Sequence, residues 1–382
     1  MKLFTRFLLF AIIFSCITNS IYAQTVTDPW ATLNQVSGGP FIFGAQPQGV
    51  VIDASGNVYT ANSNDNTVSK ITAGGTVTQA WATLASGANP RGITIDASGN
   101  VYTVNQSNYT VSKITPSGTV TQAWATLASS ANPIAIAIDA AGNLYTANNG
   151  DITVSKITSS GSVTAAWATL TDFRPNDIAI DASSGNVYVV NAFAKTISKI
   201  TSSGTVTPSW ISLGGTANPN TIAIDASGNL YITFSNANYI TKITSGGTVT
   251  NSWAALGTSA SGITIDALGN IYTANSDNTV SKITASGTVT HAWATLATSP
   301  RALKFDGSGN IIYTANNNNS TVSKISIPPA ITSFTSSSGS IGTLVTITGT
   351  NLSSPTALTI GGVSAIAVSN TGTSLEIGRA HV

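Results

Sequence analysis

Between Gln24 and Leu375 the sequence has no glutamate, no cysteine and a single histidine, His291. Without thiols this stretch has no disulfide, no cysteine nucleophile and no cysteine-based metal site. With one histidine and no glutamate, the His–carboxylate pair of ordinary acid–base catalysis and the Ser-His-Asp triad lack their base. Charge is scarce as well. Only 8% of residues are charged and the formal net charge is +1, so no basic field exists to hold a phosphate backbone or an anionic membrane, and nucleic acid is not an expected partner. The longest apolar run, Phe7 to Phe14, is too short to span a bilayer. Preceded by Lys2 and Arg6 and followed by the small Ala23, it reads as a secretory signal peptide over residues 1–23 that places the mature protein outside the cell or on its surface. Acylation at Cys16 is the alternative, lipoprotein reading.

What the chain does have is a 42% hydrophobic share over 382 residues, enough for substantial cores and too much for a disordered chain. It is also dominated by an internal repeat. The segment Gly92-Ile-Thr-Ile-Asp96-Ala-Ser-Gly-Asn100-Val-Tyr recurs almost unchanged at Gly262-Ile-Thr-Ile-Asp266-Ala-Leu-Gly-Asn270-Ile-Tyr. Its aspartate returns at Asp53, Asp96, Asp139, Asp181, Asp225, Asp266 and Asp306. Seven lysines, from Lys70 to Lys324, and all seven tryptophans, from Trp30 to Trp293, keep step with it. Each unit holds four short β-type runs bounded by turn residues and shows no helical period, which predicts a four-stranded antiparallel sheet per unit. Such sheets must stack to bury their faces, in a ring or in an open solenoid.

The phase of the repeat selects the ring. The last unit, Arg301 to Ile327, supplies three runs and stops at Pro328-Pro329. Its missing strand stands at the other end of the chain, where Thr25-Val-Thr-Asp-Pro-Trp30-Ala-Thr-Leu33 matches Thr119-Val-Thr-Gln-Ala-Trp124-Ala-Thr-Leu127. The expected fold is therefore all-β: a seven-bladed β-propeller over residues 24–327, closed by its N-terminal strand, which removes two raw sheet edges. These units resemble NHL and YVTN-type β-propeller repeats. Beyond the prolines, Ile331-Thr-Ser-Phe, Gly349-Thr-Asn-Leu and Ile360-Gly-Gly resemble an IPT/TIG immunoglobulin-like domain, expected to be truncated to a partial β-sandwich over residues 328–375. Residues 376–382 read as the translation of a sequencing adapter.

The recurring charges belong to the framework. Asp-Ala-Ser-Gly-Asn is a tight turn whose carboxylate accepts backbone N–H bonds, so the seven aspartates form no metal array. The lysines are expected at a solvated rim and the tryptophans between blades. Propeller families of this kind are functionally mixed. The related virginiamycin-lyase type works with His and Glu around magnesium, and the gluconolactonase type with Glu, Asn and Asp around a divalent metal. Neither donor set is present here, so the protein is expected not to be an enzyme and to need no metal and no cofactor.

One face of the ring should carry the uniform turns and the other the variable loops. On the variable face the departures from consensus are the candidate ligand-binding residues: Arg91, Phe173, Arg174, Asp177, Phe193, Lys195, Phe234, Tyr239 and Arg301. Rings beside Arg, Asp and Asn groups suit a carbohydrate or peptide. The expected function is a monomeric, secreted or cell-surface binding module for an extracellular glycan, peptide or protein. A lactonase- or lyase-like enzyme and a non-binding spacer are the alternatives.

Overall fold

The computed structural model describes residues 24–33, 35–36 and 43–328, and beyond them strands lying between residues 330 and 378. The proposed signal peptide, residues 1–23, and the tail from 379 onward lie outside the described residues, as does Phe41 of the Leu33-to-Gln48 insertion. No helix occurs among the described residues, and none is long and apolar enough to cross a membrane.

Seven four-stranded antiparallel sheets follow one another along the chain. In the first, Pro47–Ile52 is innermost, followed outward by Val58–Asn62, Thr67–Ile71 and Val77–Thr83. The inner strand of each blade packs on those of the blades before and after it, and Ala302–Phe305 of the seventh returns to Pro47–Ile52 of the first. The ring is closed. Its seventh sheet is completed by Thr25–Thr32, which pairs beside Thr321–Ser326. Trp30 stands 4.9 Å from the Tyr313 ring and under the Lys324 ammonium at 5.6 Å. The Leu33 N–H donates to the Ser320 carbonyl at 2.8 Å, and Ser323 donates to Asp28 at 2.6 Å.

Each repeated residue has a mechanical task. In the first blade Asp53 Oδ1 accepts the N–H groups of Ser55 and Asn57, and Oδ2 accepts Asn57 Nδ2 and the Tyr59 hydroxyl at 2.8 and 2.9 Å. These bonds outweigh the opposing effect of burial and hold the carboxyl below its usual range. The lysines were expected at the rim for solubility. Lys70 instead lies over both Tyr59 and Trp81, at 5.5 and 5.6 Å, an arrangement that recurs around the ring and adds cation–π attraction to packing. The tryptophans join blades, as expected. Trp81 closes on the Thr115–Thr119 turn of the next blade, where Gly118 has φ +90° and a side chain would come within 3.0 Å of the indole nitrogen.

A polar cluster is buried in the middle of the blades. Asn148 donates to Thr153 and Ser155 at 2.9 and 2.8 Å and accepts from Thr146 at 2.9 Å, all four residues being fully or almost fully buried. The same set surrounds Asn62, Asn105, Asn275 and Asn316. The fourth blade adds the buried Asp172, which accepts from Thr196, Ser198 and both the N–H and hydroxyl of Ser209 at 2.7–3.0 Å. Those four donors overcome its desolvation and lower its pKa.

The C-terminal unit contains a sheet in the order Ala330–Thr335, Val345–Thr350, Ser374–Gly378, Ile366–Asn370. The last strand to be added, Ser374–Gly378, includes Glu376 and Ile377 opposite Thr346 and Val345, so three of the residues read as adapter translation lie within this sheet.

Candidate functional site

Within a blade the inner strand runs from the variable face to the uniform one. The Asp turns and the Gly-Thr turns therefore share one end of the ring. The connections into each inner strand and those after each second strand share the other. The second residue of each inner strand therefore lies at the variable-side end of the innermost strands, the mouth of the ring.

In the fourth to sixth blades these residues are amides and a hydroxyl that bridge blades, and in the third the residue is Ile134. Asn176 Nδ2 donates to the Asn220 carbonyl at 2.7 Å. Asn220 Nδ2 reaches the carbonyls of Ala260 and Ser261 at 3.3 and 3.4 Å, and Ser261 Oγ donates to the Pro300 carbonyl at 2.7 Å. The seventh and second blades carry cations, on either side of Gln48 in the first. Arg91 donates from Nε to Gln106 Oε1 at 2.8 Å and from a terminal nitrogen to Gln48 Oε1 at 3.4 Å. Arg301 holds the equivalent place in the seventh blade, close enough for the Arg91 charge to depress its pKa on top of the larger effect of desolvation.

Two further charges lie deeper. Asp177 takes the place of Gly92 in the repeat, and Lys304 that of Thr94. Asp177 Oδ1 accepts the Ile178 N–H at 2.9 Å and Oδ2 the Ile222 N–H of the next blade at 3.0 Å. Lys304 keeps exposed surface although protein surrounds it, as a side chain lining a water-reached channel does. Burial lowers its pKa and Asp177 opposes that. Burial pushes the Asp177 carboxyl up to about 6, against its two backbone donors and the charge of Lys304.

A pH dependence follows from that carboxyl. Below its ordinary value of 3.8 it is protonated in both folded and unfolded chains. As pH rises toward about 6 the unfolded chain releases this proton first, so the folded state loses stability over that window. In partial contact with water the loss is roughly 1–3 kcal/mol. Asp177→Asn is expected to flatten this decline, and the difference between variant and wild type in urea unfolding at pH 4 and pH 7 measures it.

The remaining candidates are distributed less simply. Phe173 and Phe193 are 59% and 68% exposed, on two loops of the fourth blade joined by the Ala192 N–H donating to the Arg174 carbonyl at 2.8 Å. Arg174 is exposed, and Lys195 donates to the Gly215 carbonyl at 3.2 Å. Both adopt left-handed backbone, φ 62° and 57°. Phe234 does not belong to this surface. It is 1% exposed inside a hydrophobic cluster, with the Tyr239 ring 4.8 Å away. Where other blades bury Asn with Thr, this blade buries Phe with Tyr, so both departures from consensus are a core exchange and Phe234 is unavailable to a ligand. Conversely Lys304, Gln48, Asn176 and Asn220 were not singled out as site residues. Lys304 and the asparagines are departures from the repeat consensus, which is the signal that identifies them. His291 lies exposed on the outer strand Val289–Thr295, away from the mouth.

A magnesium ion of the kind the family resemblance implies would need clustered anionic or imidazole donors. Among the described residues no three His, Cys, Asp or Glu side chains come together. The channel carboxylate spends both oxygens on N–H donors and faces a cation. The donor set does not fit such an ion.

The model of the virginiamycin B lyase family matches residues 88–341, and that of the IPT/TIG domain matches residues 329–377. No curated protein matches. Among solved structures, selenomethionine virginiamycin B lyase from Staphylococcus aureus superposes with a TM-score of 0.67 at 19% identity, over 80% of this chain and 100% of that one. A catalytically inactive histidine-to-alanine variant of the same enzyme with quinupristin gives 0.67 at 18% identity, with the same coverage. The WD40 propeller domain of Doa1 gives 0.62 at 14% identity, over 79% and 96% of the two chains. At these identities the structural matches establish the fold alone. The family match corrects one expectation: exclusion of an enzyme rested on missing histidine and glutamate, and the match places the chain among relatives of a lyase. The physical flaw in that exclusion is visible in the channel. Surroundings can move an aspartate or a lysine toward neutral pH, so acid–base chemistry does not require the residue types whose unperturbed pKa already lies there.

Proposed function

The chain belongs to the virginiamycin B lyase family, and from that premise we propose that its variable face is the ligand site and that the ligand is an extracellular glycan. The observation that carries this reading is the pair of exposed rings, Phe173 and Phe193, on hydrogen-bonded loops beside a mouth lined with amides. Flat apolar rings stack on sugar faces, and side-chain amides pair with hydroxyl groups. Among the described residues the other exposed large hydrophobic is Leu268, in an Asp-Gly turn of the opposite face. The proposal includes export, in line with the leader-like N-terminus.

A glycan array probed with wild type, Phe173→Ala and Phe193→Ala tests it. Binding by wild type that falls at least about tenfold in each variant, about 1.4 kcal/mol, is the expected result. Equal binding by all three would remove the rings from the site.

Lyase chemistry is the second reading, favoured by the family match and by the channel pair Asp177 and Lys304. In it a ligand group held at the mouth reaches Asp177, whose raised pKa suits proton exchange near neutrality. Turnover of an array-positive ligand that disappears in Asp177→Asn, with binding retained, would establish this role.

A further inference from the structure

The mouth is chemically lopsided. The seventh, first and second blades present Arg301, Gln48 and Arg91, the third presents Ile134, and the fourth to sixth present Asn176, Asn220 and Ser261. On the amide side every side chain is engaged with a neighbouring backbone carbonyl. On the cationic side the guanidinium of Arg91 is held by two neutral amide oxygens and by no carboxylate. Among the described residues no side chain accepts a hydrogen bond from Arg301 or Lys304. Arg301 has Arg91 as its charged neighbour, a like charge. Three cations thus share the channel with one carboxylate, Asp177, both of whose oxygens are already taken by N–H groups.

Such an arrangement costs free energy in the empty protein. Two neighbouring guanidinium groups repel, and partial burial strips water from charges that Asp177 alone opposes. A bound anion relieves both effects, and a guanidinium fork offers a carboxylate two parallel hydrogen bonds. Neither arginine is required by the fold, since Gln48 and Asn176 fill the same place in other blades.

We infer that the channel mouth recognises the carboxylate of an acidic sugar, a uronate, through Arg91 and Arg301 with Lys304 beneath them. This rests on the glycan reading and specifies its ligand class. The fourth blade, with Phe173 and Phe193, lies across the ring from the seventh and first. A chain of sugars crossing the mouth would stack at one side and place a carboxylate at the other. An acidic peptide supplies the same charge, but the amide arc and the two rings favour a polyhydroxylated ligand.

The test is calorimetric titration with oligogalacturonate, with its methyl ester, and with a peptide bearing a free C-terminal carboxylate. Variants are Arg91→Gln and Arg301→Asn, singly and together, each importing a residue that another blade carries at the same position. The acid is expected to bind wild type at least tenfold more tightly than its methyl ester, and the double variant is expected to lose at least tenfold for the acid and little for the ester. Should the double variant fail to fold, the acid-to-ester ratio on wild type decides alone. Equal binding of acid and ester, an unaffected double variant, binding of the peptide but not the uronate, or no binding of the uronate would each overturn the inference. In the last case the broader glycan reading still stands if array ligands without charge are bound through Phe173.

Discussion

Leu33→Ala is expected to destabilise the propeller by about 2–5 kcal/mol, as burial of a leucine and the void left by its removal require. Leu33 is 1% exposed in the cluster that joins the seventh blade to the first, with Ala31, Val50, Val58 and Tyr313. Its N–H also holds the Ser320 carbonyl. The corresponding Leu127 and Leu170 are buried to a similar degree, but each is covalently continuous with the blade it completes. Of these three leucines, only Leu33 anchors a strand that reaches its sheet from the far end of the sequence. Leu33→Ala should therefore lower the denaturation midpoint more than Leu127→Ala and make the first residues of the strand protease-sensitive before global unfolding. Chemical denaturation of both variants with limited proteolysis measures this. Equal loss at the two positions would mean that the seam has no special weakness.

Asn148→Phe is expected to be severely destabilising on its own and largely tolerated in company. Asn148 is fully buried and accepts from Thr146, so its loss leaves the buried Thr146 hydroxyl without its acceptor, at about 1–3 kcal/mol, while Thr153 and Ser155 keep their bonds to Asp151 and the Ala165 carbonyl. A phenyl ring also overfills the site. The fifth blade shows the compensated version: Ile232, Phe234, Tyr239 and Thr241 stand where the third has Thr146, Asn148, Thr153 and Ser155. The quadruple variant Thr146→Ile, Asn148→Phe, Thr153→Tyr, Ser155→Thr should recover most of the stability lost by the single one. A coupling of about 1–3 kcal/mol in a mutant cycle read by urea unfolding is the expected signature. Additive losses would show that the fifth blade is accommodated by its wider surroundings.

The ring was readable from the sequence because its instructions are local and repeated seven times. An aspartate four residues before an asparagine closes one turn, and a glycine against a tryptophan closes another. The phase of the repeat then discloses the strand exchange between Thr25 and Thr321, since a missing strand at one terminus and a surplus one at the other leave a single solution. The site was less accessible. Departure from consensus marks Arg91, Asp177 and Arg301, which lie in or beside the inner strands, and marks Phe234 equally, which is buried in a hydrophobic cluster. A repeat comparison cannot separate an outward substitution from an inward one when the inward change is matched by a second, as Phe234 is by Tyr239. Lys304 was overlooked because position alone does not disclose that a long side chain from a strand interior finds the central opening. Enzyme exclusion by residue inventory failed for a related reason: protonation behaviour belongs to surroundings as much as to residue type.

The joining of Thr25–Thr32 to Thr321–Ser326 also shapes the route by which the chain folds. Contacts such as Ser323 to Asp28 span 295 residues, so completing the final sheet before the other blades have formed carries the closure cost of nearly the whole ring. Until then the first strand is a solitary, uncommitted ribbon and the unfinished circle has two naked flanks open to pairing with other molecules. Ordering the earlier sheets brings those flanks within reach and shortens the effective loop that remains to be closed. A break in any one blade would thus act at a distance, by delaying the moment at which the circle locks.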